Sequence, residues 1–110
     1  MTNETIGEFE QVVLLAILRL KDTAYGVSIR NEITACTERE PSPGSLYTTL
    51  DRLEEKGLVT SRFGDPTPER GGRAKRFFDV TEKGIRGVAR AQRSYQKLLI
   101  GVELPGVAYA

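Results

Sequence analysis

The chain has no histidine, and Cys36 is its only cysteine. Histidine is the commonest general base and the commonest protein ligand for metals, so its absence excludes histidine-based catalytic triads and Cys/His zinc sites. A single cysteine cannot form a disulfide within the chain. We therefore predict no metal site, no cofactor and no catalytic residue.

Long apolar runs are also missing. The longest run, residues 12–18, has seven residues, whereas a membrane-spanning helix needs about 20. The N-terminal residues lack the basic, then apolar, then small-residue order of a signal peptide. We therefore expect no membrane span and a cytoplasmic protein.

The net charge is close to zero, but the charged residues are unevenly distributed along the chain. The 110 residues carry 16 Lys and Arg against 15 Asp and Glu, a formal charge of +1. A chain of this length forms one domain that buries roughly 65% of its extended surface. Residues 1–40 hold four basic and seven acidic residues, whereas residues 70–76 hold four basic residues and no acid. The near-neutral total therefore does not exclude a nucleic-acid partner.

Residues 1–7 are predicted to be a flexible N-terminus, and residues 8–20 form the first predicted helix. This helix is apolar on nearly every side, because leucines occupy the side opposite the face of Phe9 and Val13. The leucines in question are Leu14, Leu15 and Leu18. A small domain cannot enclose one helix completely, so we predict that this second face contacts a partner subunit. A central core helix is the alternative.

The second predicted helix spans residues 24–37. Its apolar stripe consists of Tyr25, Ile29, Ile33 and Cys36. Cys36 is therefore interpreted as a small buried hydrophobic residue, with a redox role as the alternative.

The third predicted helix spans residues 43–56. Ser42 and Pro43 have the pattern of an N-cap followed by proline at the first helical position, and Gly57 is a C-terminal stop signal. Three leucines form its core face: Leu46, Leu50 and Leu53. Short polar residues and one long cation mark the opposite face, with Tyr47 on its flank. They are Gly44, Ser45, Thr48, Asp51, Arg52 and Glu55.

Two β-branched and aromatic runs, residues 58–63 and 76–80, predict a hairpin. The connection, residues 64–75, is rich in Gly and Pro and carries most of the basic segment. Thr81 is the predicted cap of a fourth helix over residues 82–100, and residues 101–110 form a tail. The predicted fold class is α+β, mainly α: a winged helix-turn-helix over residues 8–81, followed by an extra C-terminal helix.

Four stretches of the sequence resemble the PadR family of transcriptional regulators. They are EFEQVVLLAIL, AYGVSIRNEI, PGSLYTTLDRLEEKGLV and GGRAKRFFDVTEKG, which together span about residues 8–85. The third is the most specific, because its Gly, Leu-Tyr, Leu, Leu-Glu and Gly-Leu recur at the family's spacing. The resemblance implies a homodimer that binds double-stranded operator DNA, usually as a repressor, with release by a small-molecule effector or another signal.

The resemblance also implies where DNA and the second subunit would be contacted. The chain is similar to the short members of the family, which dimerise through the first and last helices. The predicted DNA-binding residues are Gly44, Ser45, Tyr47, Thr48, Arg52, Arg70, Gly72, Arg73, Lys75 and Arg76. The predicted dimer residues are Leu14, Leu15, Leu18, Val88, Gln92, Tyr95 and Leu99.

Each of these assignments has an alternative. Ser45, Thr48 and Arg52 could form an ordinary solvated helix face, Tyr47 could be an aromatic at the edge of the core, and the basic connection could serve solubility. Arg52 is the candidate for bidentate recognition of a guanine. A winged-helix protein-interaction module without DNA binding is the second functional hypothesis. An enzyme is the third, and the sequence offers it no nucleophile paired with a base.

Overall fold

The structure is a computed structural model that describes residues 5–64 and 74–107. Four helices and one hairpin follow each other along the chain in the predicted order. They are α1 (Glu8–Leu20), α2 (Gly26–Cys36), α3 (Pro43–Glu55), β1 (Val59–Phe63), β2 (Arg76–Val80) and α4 (Glu82–Leu99). A short 3-10 turn, Lys21–Thr23, connects α1 to α2.

Capping residues that the sequence predicts determine where α3 ends and where α3 and α4 begin. The Ser42 hydroxyl accepts a hydrogen bond from the Ser45 N–H, and Pro43 occupies the first turn. Gly57 follows α3 with a φ of 76°, a left-handed conformation that glycine adopts without strain. The Thr81 hydroxyl accepts from the Gly84 N–H at the start of α4. These caps confirm the predicted boundaries to within one residue.

The hairpin pairs β1 with β2 in antiparallel register, from Val59 opposite Val80 to Phe63 opposite Arg76. A third segment joins its outer edge, because the Phe78 N–H donates to the Ala24 carbonyl at 2.9 Å. Tyr25 forms an isolated bridge with Phe77 at the same edge. The hairpin is therefore attached to the segment between α1 and α2, and the fold is the predicted winged helix-turn-helix with an extra C-terminal helix.

A single core lies between the helices and the hairpin. It contains Leu46, Leu50 and Leu53, the predicted core face of α3, all with no exposed surface. The other members come from every remaining element: Val13, Leu14, Ala16, Ile17, Ala24, Ile29, Ile33, Leu58, Val59, Phe78 and Val88.

The α4 helix approaches the rest of the chain closely at two glycines. A Cβ on Gly84 would overlap the Leu58 carbonyl oxygen, and a Cβ on Gly87 would overlap the side chain of Ile6. Ile6 packs against the core, and the Gly7 N–H donates to the Glu10 side chain at 2.8 Å. Residues 6 and 7, which the sequence assigns to a flexible N-terminus, thus take part in packing.

Four side chains lie elsewhere than the sequence predicts. Leu14 has no exposed surface and Val88 has 6%, so both pack in the chain's own core instead of on an exposed apolar face. Cys36 is exposed, because it is the last residue of α2 and lies beyond the turn on which Ile33 reaches the core. Tyr25 precedes α2 as its N-cap and pairs with the hairpin instead of extending the helix.

We predict that Gly84→Ala lowers the free energy of unfolding by about 1–3 kcal/mol, because the added methyl group meets a backbone carbonyl that cannot move aside independently. Urea unfolding followed by circular dichroism measures the change. Gly44→Ala is the matched control, since a Cβ at Gly44 meets nothing within 4 Å, and it should leave stability unchanged or slightly raised. Equal stability of the Gly84→Ala variant and the parent chain would contradict the close approach.

Candidate nucleic-acid interface

The face of α3 that points away from the core is polar and exposed along its whole length. Gly44, Ser45, Thr48, Asp51 and Glu55 are all exposed. This face is available because Leu46, Leu50 and Leu53 bury the other side of the same helix. The predicted division of α3 into a core face and a solvent face is therefore confirmed.

Tyr47 lies on one flank of α3, where it covers Gly26 at the start of α2. A side chain at Gly26 would overlap the Tyr47 hydroxyl and ring, so the glycine is needed for this contact. The tyrosine side chain still has 41% of its surface exposed. It is thus both a packing residue and a phenol accessible from the α3 face.

On the same flank, Arg76 of β2 joins the hairpin to α3. Its guanidinium lies 2.6 Å from Glu54 Oε1 and 3.6 Å from Asp51 Oδ1. It also lies 4.9 Å above the ring of the buried Phe78. The Ser61 hydroxyl donates to the Glu54 carboxylate at 3.0 Å. The sequence groups Arg76 with the basic wing, residues 64–76, whereas the structure pairs its guanidinium with acids of the protein itself.

The opposite flank of α3 carries an acid that sequence analysis missed. Glu10 of α1 is only 4% exposed, yet its carboxylate accepts hydrogen bonds from Arg52 Nε at 2.9 Å and Lys56 Nζ at 3.0 Å. The Gly7 N–H donates to it as well. A Gly-x-x-Glu spacing at a helix start signals the last bond, but nothing local signals two cations 42 and 46 residues away.

These contacts determine the ionisation of Glu10. Burial by itself raises the pKa of a carboxyl group. Hydrogen bonds from the Gly7 N–H, Arg52 and Lys56 outweigh burial and hold the pKa of Glu10 below its ordinary value. The side chain is therefore an anion at neutral pH, and it ties α1 to α3.

The root of the wing combines cations with aromatic rings. Lys75 Nζ lies 4.3 Å from the centre of the Tyr25 ring, and the Arg62 guanidinium lies 5.0 Å from that of Phe77. Phe63, at the end of β1, has 72% of its surface exposed. Arg70, Gly72 and Arg73, the other predicted wing residues, lie outside the described residues.

The predicted dimer residues that are not in the core lie at the surface of α1 and α4. Leu15 and Leu18 are each 38% exposed, Tyr95 is 52% exposed and Leu99 is 50% exposed. Gln92 is half-buried. Further exposed apolar residues continue beyond them: Leu98, Ile100, Val102, Leu104 and Val107.

No group of three or more His, Cys, Asp or Glu side chains in residues 5–64 and 74–107 is arranged to hold a metal ion. None of the helices described in them is both long enough and apolar enough to cross a membrane.

Comparison with known proteins identifies the family. A sequence profile described as the transcriptional regulator PadR-like family matches residues 14–90, a stretch that runs from α1 into α4. The chain belongs to this family. The PadR-like assignment agrees with the resemblance of the α3 and wing motifs.

A curated relative of this PadR-like chain agrees with the assignment. Transcriptional regulator YqjI of Escherichia coli K12 is 36% identical over 80 residues, which cover 71% of this chain and 34% of that protein. The chain thus spans about a third of the length of the curated relatives it matches.

Two solved structures show the likeness of fold. A transcriptional regulator from Clostridium thermocellum superposes with a TM-score of 0.68 at 20% identity, over 83% of this chain and 85% of that one. A PadR family transcription regulator from Clostridium difficile R20291 superposes with a TM-score of 0.65 at 22% identity, over 84% and 95% of the two chains.

We predict that the ionised Glu10 stabilises the fold at neutral pH and that this contribution declines in acid. The folded pKa is lowered, so the contribution is complete above the ordinary value of about 4.3 and is lost as pH falls through the folded value. Glu10→Gln should therefore cost about 1–3 kcal/mol of unfolding free energy at pH 7, and the difference from the parent chain should shrink toward pH 3.

Urea unfolding of both chains between pH 7 and pH 3 measures this difference. Glu55→Gln is the control, because Glu55 is exposed and has no ion pair within the described residues. A difference that stays constant across the pH range would contradict a stabilising carboxylate at Glu10.

Proposed function

We propose that this chain is a DNA-binding repressor that contacts a pseudo-palindromic operator as a homodimer. The exposed face of α3 enters the major groove, and the basic wing lies over the phosphate backbone or the adjacent minor groove. The observation that carries the proposal is the exposed polar face of α3 beside the wing root, in a chain that belongs to a family of transcriptional regulators.

The size and chemistry of the α3 face support this role. In the first turns, Gly44, Ser45 and Thr48 are exposed, and their small size allows the helix to approach base edges closely. The hydroxyl groups of Ser45 and Thr48 can donate to phosphates or accept from bases. Tyr47 extends beside them and would place its phenol near the backbone.

The acids of α3 are the obvious objection, because carboxylates beside phosphates repel DNA. Three contacts reduce this repulsion. Arg76 lies against Glu54 and Asp51, and Ser61 donates to Glu54. We therefore assign Arg76 to neutralising α3, and we leave attraction of phosphate to Lys75 and to the basic residues 70 and 73.

Homodimerisation would use the apolar surface of α1 and α4. Leu15 and Leu18 remain exposed on α1, and Tyr95 and Leu99 remain exposed on α4. Apolar side chains in such number on two elements favour burial against a second copy. A two-fold dimer would place two α3 helices roughly one DNA turn apart, 34–36 Å. A small-molecule effector that releases the operator stays a prediction of the family resemblance.

Selection of bound sequences from a random DNA pool, at a stated salt concentration, tests the DNA-binding proposal. We expect enrichment of a motif with two related half-sites. Failure to enrich any sequence, together with salt-independent or absent binding, would favour the alternative of a protein-interaction module.

The double substitution Arg73→Ala/Lys75→Ala should weaken binding to all DNA sequences alike, because it removes phosphate contacts and not base contacts. The slope of log affinity against log salt should become shallower by roughly one unit for each lost contact. Arg93→Ala/Lys97→Ala is the matched control, since it removes the same charge from exposed positions of α4. Equal effects of the two double substitutions would reject the wing as the contact.

Sedimentation equilibrium at micromolar concentration should give the mass of two chains. Leu18→Glu should shift the equilibrium toward one chain, because it would bury a carboxylate in the proposed interface. Val27→Glu, at a 50% exposed position of α2, should leave the mass unchanged. A single-chain mass for the parent protein would refute the dimer.

A further inference from the structure

We infer that Glu10 is the positioning residue for Arg52: its buried carboxylate holds the Nε side of the guanidinium, so that the two terminal nitrogens face one guanine of the operator. This inference rests on the proposed function, since it assigns a role to Glu10 within DNA recognition. It gives the one buried acid of α1 a task that helix capping alone does not explain.

The carboxylate of Glu10 is a fixed anchor. Its side chain is 5% exposed and lies between α1 and α3. One oxygen accepts from the Gly7 N–H at 2.8 Å, and both oxygens lie 3.0 Å from Lys56 Nζ. A carboxylate held by a backbone N–H and an ammonium group has little freedom to follow Arg52. Arg52 must therefore take its orientation from Glu10, and not the reverse.

The guanidinium of Arg52 is engaged on one side only. Its Nε donates to Glu10 Oε2 at 2.9 Å, while 49% of the side chain is exposed. Within the described residues, no hydrogen bond occupies its two terminal nitrogens. Guanine presents two acceptors, O6 and N7, at a spacing that matches this pair of donors. An arginine already held through Nε binds such a pair with less loss of side-chain freedom than a free arginine.

Lys56 shares the carboxylate but is less exposed than Arg52 and has no second nitrogen that remains free when it binds Glu10. Its side chain is 26% exposed, and its ammonium group is a point charge without a planar fork. We therefore assign Lys56 to holding Glu10. This difference provides a graded comparison, because removing Lys56 loosens the acid, whereas the Gly7 N–H and Arg52 Nε still donate to it.

The competing explanation is that Glu10 and Arg52 form an ion pair that only joins α1 to α3. An ammonium group at residue 52 would preserve such a pair, but its single nitrogen would be held at Glu10, with no further nitrogens to place against the two guanine acceptors. Arg52→Lys therefore separates the two explanations without removing charge from α3.

The experiment measures sequence preference and affinity for the parent chain, Glu10→Gln, Arg52→Ala, Arg52→Lys, Lys56→Gln and the double variant Glu10→Gln/Arg52→Ala. Each is used at a temperature at which circular dichroism shows it folded. Selection from a random DNA pool defines the preference for guanine at each position, and titration with the selected site and with unrelated DNA gives the affinities.

We expect Glu10→Gln, Arg52→Ala and Arg52→Lys each to lower the preference for guanine about tenfold at one and the same position of the half-site. Affinity for unrelated DNA should change less than twofold for Glu10→Gln. Glu10→Gln should have no further effect on that preference in the Arg52→Ala background, and Lys56→Gln should lower the preference less than Glu10→Gln does, because the Gly7 N–H still holds the carboxylate.

Four results would overturn the inference. Glu10→Gln could reduce stability and leave the base preference unchanged, or Arg52→Lys could retain the preference. Either result would mean that the ion pair only joins α1 to α3. If the parent chain selects a motif and Arg52→Ala keeps every base preference, the inference fails while the proposed function stands. If the parent chain binds no DNA, both fail.

Discussion

Burial of three leucines fixes the orientation of α3, and the remainder of the candidate interface depends on that orientation. Leu46, Leu50 and Leu53 are all completely buried, and each fully buried leucine contributes about 1.5–3 kcal/mol relative to exposure. Rotation of α3 about its axis would bring at least one of them into water. Ser45, Thr48 and Asp51 are thereby directed outward.

Ion pairs on the two flanks of α3 then decide which charges remain available. Arg76 contacts Glu54 and Asp51 on the side of the hairpin, and Glu10 contacts Arg52 and Lys56 on the side of α1. Each contact partly neutralises charged side chains of the helix and also connects the helix to a neighbouring element. The ion pairs therefore reduce the exposed charge of α3 and restrain its orientation.

The close contacts of glycine extend this restraint to the rest of the chain. Gly26 allows Tyr47 to lie over the start of α2, and Gly84 allows the first turn of α4 to reach the Leu58 carbonyl. The Thr81 hydroxyl also donates to the Gly57 carbonyl at 2.7 Å, where α3 has just ended. A surface formed by α1 and α4 is in this way held at a defined angle to α3, as a dimer with two equivalent half-sites would require.

Local sequence determined the elements of this protein. Ser42-Pro43, Gly57 and Thr81 predict helix ends because capping involves residues that are neighbours in the chain, and helical spacing predicts the core face of α3 for the same reason. Tertiary structure alone decided whether Leu14, Val88 and Cys36 are buried or exposed, since a stripe of apolar residues does not show which turn of a helix another element will cover. It alone joined Glu10 to Arg52 and Arg76 to Glu54, because an ion pair between distant residues depends on where the packed core brings two helices or a helix and a strand together.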